Sequence, residues 1–109
     1  MENCVFCKIV KKELPAKIVY EDDDILVFPD INPARPVHLL IITKKHFSEF
    51  IAVDDSSLFQ KIFAVVKKMV EEQKLTDKGY RVIINGGGAQ IVHHLHIHLM
   101  GPVKSTAAL

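Results

Sequence analysis

The sequence predicts an α+β fold, in which one antiparallel sheet packs against one long helix, from three observations. Short segments rich in valine, isoleucine and leucine recur along the chain, and brief connections join most of them. Only the stretch after residue 55 repeats apolar side chains with a sustained helical period. This order favours an antiparallel sheet, because each parallel connection would need a long crossover. With 109 residues, 49% of them hydrophobic, the chain is predicted to form one domain spanning residues 1–109.

The first third of the chain is predicted to hold a short helix and a β-hairpin. Residues 4–10 offer one or two helical turns with apolar anchors, and Pro15 ends them because proline cannot continue a helix. Residues 17–21 and 24–28 lie on either side of a turn made by two aspartates, which is typical of paired strands. A proline-punctuated loop over residues 29–36 follows the hairpin.

The middle of the chain predicts a central strand and the long helix. Residues 37–43 contain four consecutive apolar side chains, which suits a strand covered on both faces. Asp54 or Asp55 is the predicted helix N-cap. One helical face then carries Leu58, Ile62, Val65 and Met69, and it is widened by Phe59, Phe63, Val66 and Val70. Because this face exceeds a single stripe, its extra width is predicted to be core or a subunit interface.

The last third of the chain predicts two strands, residues 80–84 and 95–100, separated by a glycine-rich loop. Successive side chains of a strand point to opposite faces, so His94, His96 and His98 are predicted to share one face. Same-face neighbours lie roughly 6–7 Å apart along a strand. The three imidazoles are therefore expected to converge on one small group.

Three chemistries use histidines placed in this way. Imidazole ligates metals, acts as a general acid or base, and attacks phosphorus as a nucleophile to form a covalent intermediate. The Asn-Gly-Gly-Gly loop supports phosphate handling, because glycines let backbone N–H groups approach an anion. From the residues alone, a metalloenzyme with one ion on His94, His96 and His98 stays open as an alternative.

Composition and the two cysteines restrict the expected location of the protein and the kinds of partner it could bind. Cys4 and Cys7 form a C-x-x-C pair, which indicates half of a metal site or a redox pair rather than a structural disulfide. We find no basic N-terminal segment followed by a long apolar one, and no apolar run of about 18 residues. A cytoplasmic protein that engages no membrane is therefore expected. The net charge of +1 offers no electrostatic footprint for a nucleic acid polymer.

The chain resembles the histidine triad (HIT) family. His94–Met100 matches the pattern His-φ-His-φ-His-φ-φ, where φ is an apolar residue. Further matches stand in the family's order at residues 4–9, 28–33, 36–38 and 44–46 and at Asn85. The likeness covers nearly the whole chain and is greatest to the branch of nucleoside phosphoramidate hydrolases.

The resemblance implies a five-stranded antiparallel sheet with one long helix and a short N-terminal helix, paired as a homodimer. It also implies cleavage of purine nucleoside 5′-monophosphate amides or esters. His96 would be the nucleophile that forms a nucleotidyl-histidine, His98 would bind the phosphate and assist the leaving group, and His38 would orient the imidazoles. Asp30 would accept hydrogen bonds from the ribose hydroxyls. The base slot would be lined by Val5, Phe6, Ile9, Phe28 and Ile31, and the phosphate side by Asn85, Ala89, Gln90 and Ile91.

The resemblance further implies a structural zinc ion and no organic cofactor. Its ligands would be Cys4, Cys7, His46 and His94, which close a tetrahedral site; ordinary free thiols are the alternative. Related sequences often carry serine or threonine where this chain has Ile91, so a hydroxyl that assists the leaving group is missing here. The alternative to an enzyme is a zinc-stabilised, dimeric nucleotide-binding module with little turnover.

Overall fold

The structure, a computed structural model, describes residues 3–108. Within that range the five strands form one sheet in the order β1-β2-β3-β5-β4, and every neighbouring pair is antiparallel. This arrangement confirms the predicted α+β class and the five-stranded sheet. In chain order the elements are α1 (Val5–Val10), β1 (Tyr20–Glu21), β2 (Ile25–Pro29), β3 (Val37–Thr43), a 3₁₀ turn (Phe50–Ala52), α2 (Ser56–Glu72), β4 (Arg81–Ile84) and β5 (His96–Gly101).

Several element boundaries differ by one to three residues from the predicted ones. β1 begins at Tyr20 rather than residue 17, since only two residues pair regularly with β2. The long helix ends at Glu72, before the segment of residues 74–78 that is predicted from the sequence to close it, because Lys74 adopts a left-handed backbone conformation with φ +59° that no α-helix continues. β5 begins at His96, because the N–H of Leu95 donates to the carbonyl of Phe47 outside the sheet. His94 therefore precedes the strand rather than belonging to it.

Both helices begin at side-chain caps. The Sγ of Cys4 accepts the backbone N–H of Cys7 at 3.3 Å, which places the first cysteine at the start of α1. Asp55, one of the two predicted caps, accepts the backbone N–H of Ser57 at 2.9 Å. Such a cap contributes about 1 kcal/mol by satisfying an N–H group that has no partner within the helix.

The sheet is covered by α2 on one face and by α1 on the other. In the β3–β5 register, Ile42 lies opposite His96 and Leu40 opposite His98. Cross-strand partners share a face, so both histidines emerge on the α1 side. The α2 side buries Leu39, Ile41, Ile97 and Leu99, and the α1 side buries Leu40, Ile42, Leu26 and Phe28 beneath Phe6 and Ile9.

The widened face of α2 divides between core and surface. Leu58, Ile62, Val65, Val66, Met69 and Val70 are buried, and each such side chain contributes about 1.5–3 kcal/mol by leaving water. Phe63 remains 45% exposed. Among the described residues, no helix is both long and apolar enough to cross a bilayer.

Candidate active site and metal centre

A cavity of about 390 Å³ opens between α1, the ends of the central strands and the glycine loop. Eleven of the twelve residues predicted to bind nucleotide line it: Val5, Phe6, Ile9, Phe28, Asp30, Ile31, Asn85, Ala89, Ile91, His96 and His98. Its walls are mostly apolar, with a few polar groups, which is the composition of small-molecule sites. Two of the lining residues, Ile31 and Ile91, are 91% and 94% exposed, so a bound molecule would cover them.

The predicted residue Gln90 does not line this cavity. It is buried; its Oε1 accepts the N–H of Gly88 at 3.0 Å, and its Nε2 lies 3.3 Å from Nδ1 of His93. The loop's own amides are also engaged, since Gly87 donates to Glu49 and Ala89 to the carbonyl of Gly86. The expected anion cradle of glycine N–H groups is therefore not formed at residues 87–89, whose amides hold the loop itself together.

Three lining residues were not anticipated from the sequence: Asn32, Leu40 and Val92. The N–H of Asn32 donates to Asp30 Oδ1, so its position two residues after the aspartate could have indicated it. Leu40 lies beside His98 only because of the β3–β5 register, which no local pattern specifies. Of these three positions, the sequence therefore held a clue to Asn32.

The ring of His96 has one defined tautomer. Its Nδ1 lies 2.7 Å from the carbonyl oxygen of His94. Because a carbonyl only accepts, Nδ1 carries a proton, and the neutral form of the ring has its lone pair on Nε2. Phe6 packs edge-on against the ring at a centroid distance of 5.2 Å, which restricts its rotation. The cavity thus contains an imidazole whose neutral tautomer is fixed.

His98 is held by a chain of hydrogen bonds that begins at the backbone. The N–H of Ala34 donates to Nδ1 of His38 at 2.9 Å, so the proton of neutral His38 resides on Nε2. That Nε2–H donates to Nδ1 of His98, also at 2.9 Å. The proton of neutral His98 is consequently on Nε2, and the two facing rings offer one lone pair, on His96, and one donor, on His98.

Burial keeps His38 and His98 neutral. Desolvation, followed by the neighbouring His96 and His38, lowers the pKa of His98 from 6.5 to about 4, although the carboxylate of Asp30 opposes the shift. Desolvation also lowers the pKa of His38, again against the influence of Asp30. Both rings are therefore neutral at physiological pH, and the hydrogen-bond directions given above apply there.

Asp30 lies at the end of β2 with one free carboxylate oxygen. Oδ1 accepts the backbone N–H of Asn32 at 2.8 Å, which holds the turn after the strand. Oδ2 lies 3.5 Å from Nε2 of His38. Since Asp30 also lines the cavity, Oδ2 can accept a hydrogen bond from a ligand there.

A separate cluster brings together Cys4, Cys7, His46 and His94. Their ligand atoms all lie within 4.8 Å of one another. Nδ1 of His94 lies 3.3 Å from Cys4 Sγ, 3.5 Å from Cys7 Sγ and 3.2 Å from Nδ1 of His46, which in turn lies 3.2 Å from Cys7 Sγ. Tetrahedral zinc with its usual bond lengths would separate two nitrogens by about 3.3 Å and a nitrogen from a sulfur by about 3.6 Å. The four residues therefore fit one tetrahedral metal ion.

The hydrogen bonds around His94 support the same conclusion. Its Nε2–H donates to the carbonyl oxygen of Thr43 at 2.6 Å, which leaves the Nδ1 lone pair directed at the cysteines. Metal-ligating histidines generally donate their remote N–H to an acceptor of this kind. His94 is completely buried, and desolvation lowers its pKa, which keeps the ring available as a neutral ligand.

Proximity alone also groups Asp30, His38 and His98 within 4.8 Å. This group fits a metal poorly, because Nδ1 of His38 accepts the N–H of Ala34 and its Nε2 consequently holds a proton. The alternative of one ion on all three triad histidines also fails on geometry. Among residues 3–108, His94 belongs to the cysteine cluster and shares no metal-binding group with His96 or His98.

Known proteins resemble the chain over nearly its full length. The family model described as "Scavenger mRNA decapping enzyme C-term binding" matches residues 3–109. Protein HitA of Neisseria gonorrhoeae is 48% identical over 105 residues, which cover 93% of this chain and 97% of that protein. A HIT-like protein of Methanocaldococcus jannaschii is 41% identical over 99 residues, covering 89% and 77% of the two chains.

Solved structures agree with these relatives. A HIT family hydrolase from Clostridium thermocellum superposes with a TM-score of 0.92 at 44% identity, covering 100% of this chain and 98% of the other. A HIT family hydrolase from Legionella pneumophila gives a TM-score of 0.87 at 45% identity, covering 95% and 96%. The matching family model, the close relatives and the triad in its cavity together show that this chain belongs to the histidine triad (HIT) family.

Proposed function

We propose that the protein is a nucleotide hydrolase or transferase that cleaves amides or esters of purine nucleoside 5′-monophosphates through a nucleotidyl-histidine on His96. Family membership supports hydrolysis of a nucleotide bond. The single observation that carries the proposal is the hydrogen bond from His96 Nδ1 to the carbonyl of His94, since it places the lone pair of the neutral ring on Nε2. A neutral imidazole with a fixed lone pair is an activated nucleophile.

The reaction proceeds in two displacements at phosphorus. Nε2 of His96 attacks the α-phosphorus and forms an N–P bond, while the bond to the amine or alcohol breaks and that group leaves with a proton. Water then attacks the nucleotidyl-histidine, which releases the nucleoside monophosphate and restores the imidazole. A second nucleophile in place of water would make the same intermediate a transferase.

His98 supplies the donor that this chemistry needs. Its Nε2–H, fixed by the bond from His38, donates to a phosphoryl oxygen beside His96, and the ring centroids of His96 and His98 are 5.0 Å apart. Approach of the phosphate raises the proton affinity of His98 because a nearby negative charge stabilises the imidazolium. When His98 takes up a proton from water, the resulting imidazolium can pass that proton to the leaving group and return to the neutral ring.

The remaining lining residues position the nucleoside. The purine lies in the slot of Val5, Phe6, Ile9, Phe28 and Ile31, where flat apolar surface replaces water. Asp30 Oδ2 accepts hydrogen bonds from the ribose hydroxyls, a task suited to a carboxylate oxygen whose partner is already engaged. Asn85 and the backbone at residues 89–91 border the phosphate.

Hydrolysis of adenosine 5′-phosphoramidate tests the proposal. Wild-type protein should release adenosine monophosphate, and His96→Ala should lose about 10³-fold or more in rate, since the nucleophile is absent. His93→Ala is the matched control, because His93 contacts Gln90 and does not line the cavity. Mass spectrometry of the quenched reaction should locate the phosphorus adduct on His96. Nucleotide binding without turnover would contradict the proposal and identify a binding module instead.

We infer that the cysteine–histidine cluster binds zinc. Two thiolates and two imidazoles are the donor set zinc prefers, and four protein ligands leave no position open, so the ion would be structural. It would fasten α1 to the segment that precedes β5 and so support the wall of the cavity that Phe6 provides. Elemental analysis of purified protein should give one zinc per chain.

We propose that a second copy of the chain covers the groove between α2 and β4. β4 is an edge strand with unpaired backbone groups, and the groove beside it exposes Phe63, Tyr80 and Val82. Lys67 and Glu71 border the same groove, so a twofold partner would bring opposite charges together. Light scattering should give twice the chain mass, and Phe63→Glu should give the mass of one chain.

A further inference from the structure

A second cavity, of about 420 Å³, lies outside the nucleotide pocket and shares no lining residue with it. Three separate segments contribute a cation to it. Arg35 comes from the loop before β3, Lys78 from the connection after α2, and Lys104 from the segment after β5. The residues that bring these segments together are part of the folded structure rather than loose termini.

A glycine allows Lys78 and Lys104 to approach each other. Gly79 has φ +78°, and a Cβ there would lie only 1.9 Å from the carbonyl oxygen of Val103. The N–H of Val103 donates to the carbonyl of Gly79 at 3.0 Å, which joins the two segments. The chain after β5 is therefore held directly against the connection that carries Lys78.

Arg81 fixes the far wall of the cavity. Its guanidinium donates to the carbonyl oxygens of Ala107 and Ala108 at 2.8 and 2.9 Å. The N–H of Ala107 donates to the carbonyl of Lys104 at 2.9 Å, which closes a turn and places Thr106 on the lining. The cavity is thus built from backbone bonds and an arginine that is not itself part of the binding surface.

No acidic side chain among the described residues 3–108 lines this cavity to balance its charge. Its lining includes three cations. Within residues 3–108, neither Arg35, Lys78 nor Lys104 takes part in an ion pair, whereas Lys12, Lys44 and Lys61 all do. Like charges that share one cavity repel each other. A multiply charged anion bound between them would attract each cation and so offset that repulsion.

We propose that this cavity binds a small organic phosphate that carries at least two negative charges. The planar fork of Arg35 suits phosphate oxygens, two ammonium groups add charge, and the hydroxyl of Thr106 can donate as well. Pro102 and Val103 supply apolar surface for an organic portion. The volume lies in the range of small-molecule sites, roughly 300–1,000 Å³.

The proposed site lies next to the loop that holds His38. Arg35 directly follows Ala34, whose N–H holds Nδ1 of His38. Occupancy of the cavity should therefore be sensed at the backbone amide of Ala34. The binding proposal does not depend on the hydrolase activity, because it concerns a cavity that no predicted catalytic residue lines.

Calorimetry and amide NMR test the proposal on the full-length protein, with the nucleotide pocket occupied by adenosine, which carries no phosphate and so does not compete for the second cavity. Pyrophosphate and glycerol 3-phosphate should each bind at one site per chain, and glycerol should not bind. Amide shifts should centre on residues 34–35 and 104–106. Affinity should fall with added salt, because partly exposed charges are screened.

The double variant Arg35→Gln/Lys104→Gln should weaken both phosphates by on the order of tenfold or more, since two charge-assisted contacts are lost. Lys11→Gln/Lys17→Gln makes the same change in net charge at exposed lysines outside the cavity and should leave affinity unaltered. Unchanged thermal unfolding would verify that the first variant is folded. Absence of binding to wild type, equal weakening in both variants, or binding of pyrophosphate alone would overturn the proposal.

Discussion

Two histidine clusters differ in the direction of one hydrogen bond to the backbone. In the metal cluster, the remote nitrogen of His94 donates to the carbonyl of Thr43, which leaves a lone pair facing the cysteines. In the catalytic cluster, the remote nitrogen of His38 accepts from the N–H of Ala34, which leaves a proton facing His98. A histidine that donates to a backbone carbonyl thus presents a lone pair on its other nitrogen, as a metal ligand must. A histidine that accepts from a backbone N–H instead presents a proton on its other nitrogen.

His96 combines features of both clusters. Like His94, it donates to a backbone carbonyl and keeps a free lone pair. Unlike His94, it faces an open cavity rather than two sulfur atoms. A histidine that donates to a backbone carbonyl therefore suits a metal in one position and, as we propose, attacks phosphorus in the other, because the surroundings of the lone pair differ.

The largest expected effect is a loss of stability when the cysteine–histidine cluster is altered, which the cluster of His38 and His98 should not show. Cys7→Ser should abolish bound metal, and a metal present at a thousand times its Kd stabilises a fold by about 4 kcal/mol. For a chain of this size the loss corresponds to a melting temperature lower by on the order of 15 °C or more. Elemental analysis and calorimetry provide the measurements. His98→Gln should keep its metal; equal metal content in both variants would contradict the assignment.

The next largest effect should be a lower turnover rate in a variant that keeps its metal. His38→Phe removes the N–H that orients His98, and losing such a supporting contact lowers activity roughly 10- to 100-fold. The decrease should fall on kcat rather than KM, since His38 does not line the cavity. His38→Gln can still donate and should recover most of the rate. Nitrogen-15 shifts of His98 should report a mixed tautomer only in the phenylalanine variant.

A smaller effect should follow from removing the backbone donor itself. Ala34→Pro deletes the N–H that fixes His38, so kcat should fall by about threefold to tenfold, the value of one hydrogen bond. Ala34→Ser keeps the N–H and serves as the matched control. If proline and serine behave alike in kcat, the loop does not set the tautomer.

The last effect concerns acid and is measured on stability rather than on turnover. His98 faces His96, His38 and Asp30, and its pKa falls from 6.5 to about 4 on folding. The unfolded chain therefore binds this proton more readily across that window, so the free energy of unfolding should rise with pH from about 4 to 6.5 and then level off. Urea titrations should show a shallower rise in His98→Gln; an identical pH dependence would contradict the buried, neutral ring.

Most of the fold was predictable because its patterns are local. Strand β3 has the predicted limits of residues 37–43, and the helix cap at Asp55 was one of two choices. The triad pattern also located the cavity, although one element of that argument was wrong. His94 does not share a strand with His96 and His98, because the N–H of Leu95 bonds to Phe47 before the strand begins.

The phosphate loop was less predictable for a different reason. Three glycines indicated backbone N–H groups open to an anion, but the amides of residues 87 and 88 bind side chains of Glu49 and Gln90. Glu49 lies 38 residues away in the chain, so no local pattern could have indicated it. The glycines here permit the loop conformation, with φ +64° and +99° at residues 87 and 88, rather than forming a cradle.

The sequence by itself determined the α+β class, because side-chain periodicity is a property of neighbouring residues, and its motifs determined the family, whose resemblance implied most of the residues that line the cavity. Only the tertiary structure decided which nitrogen of each histidine holds a proton. Those protons depend on partners such as Thr43, 51 positions from His94, and on the register that sets His38 beside His98. Backbone groups have no side-chain identity, so a hydrogen bond to them leaves no trace in the sequence.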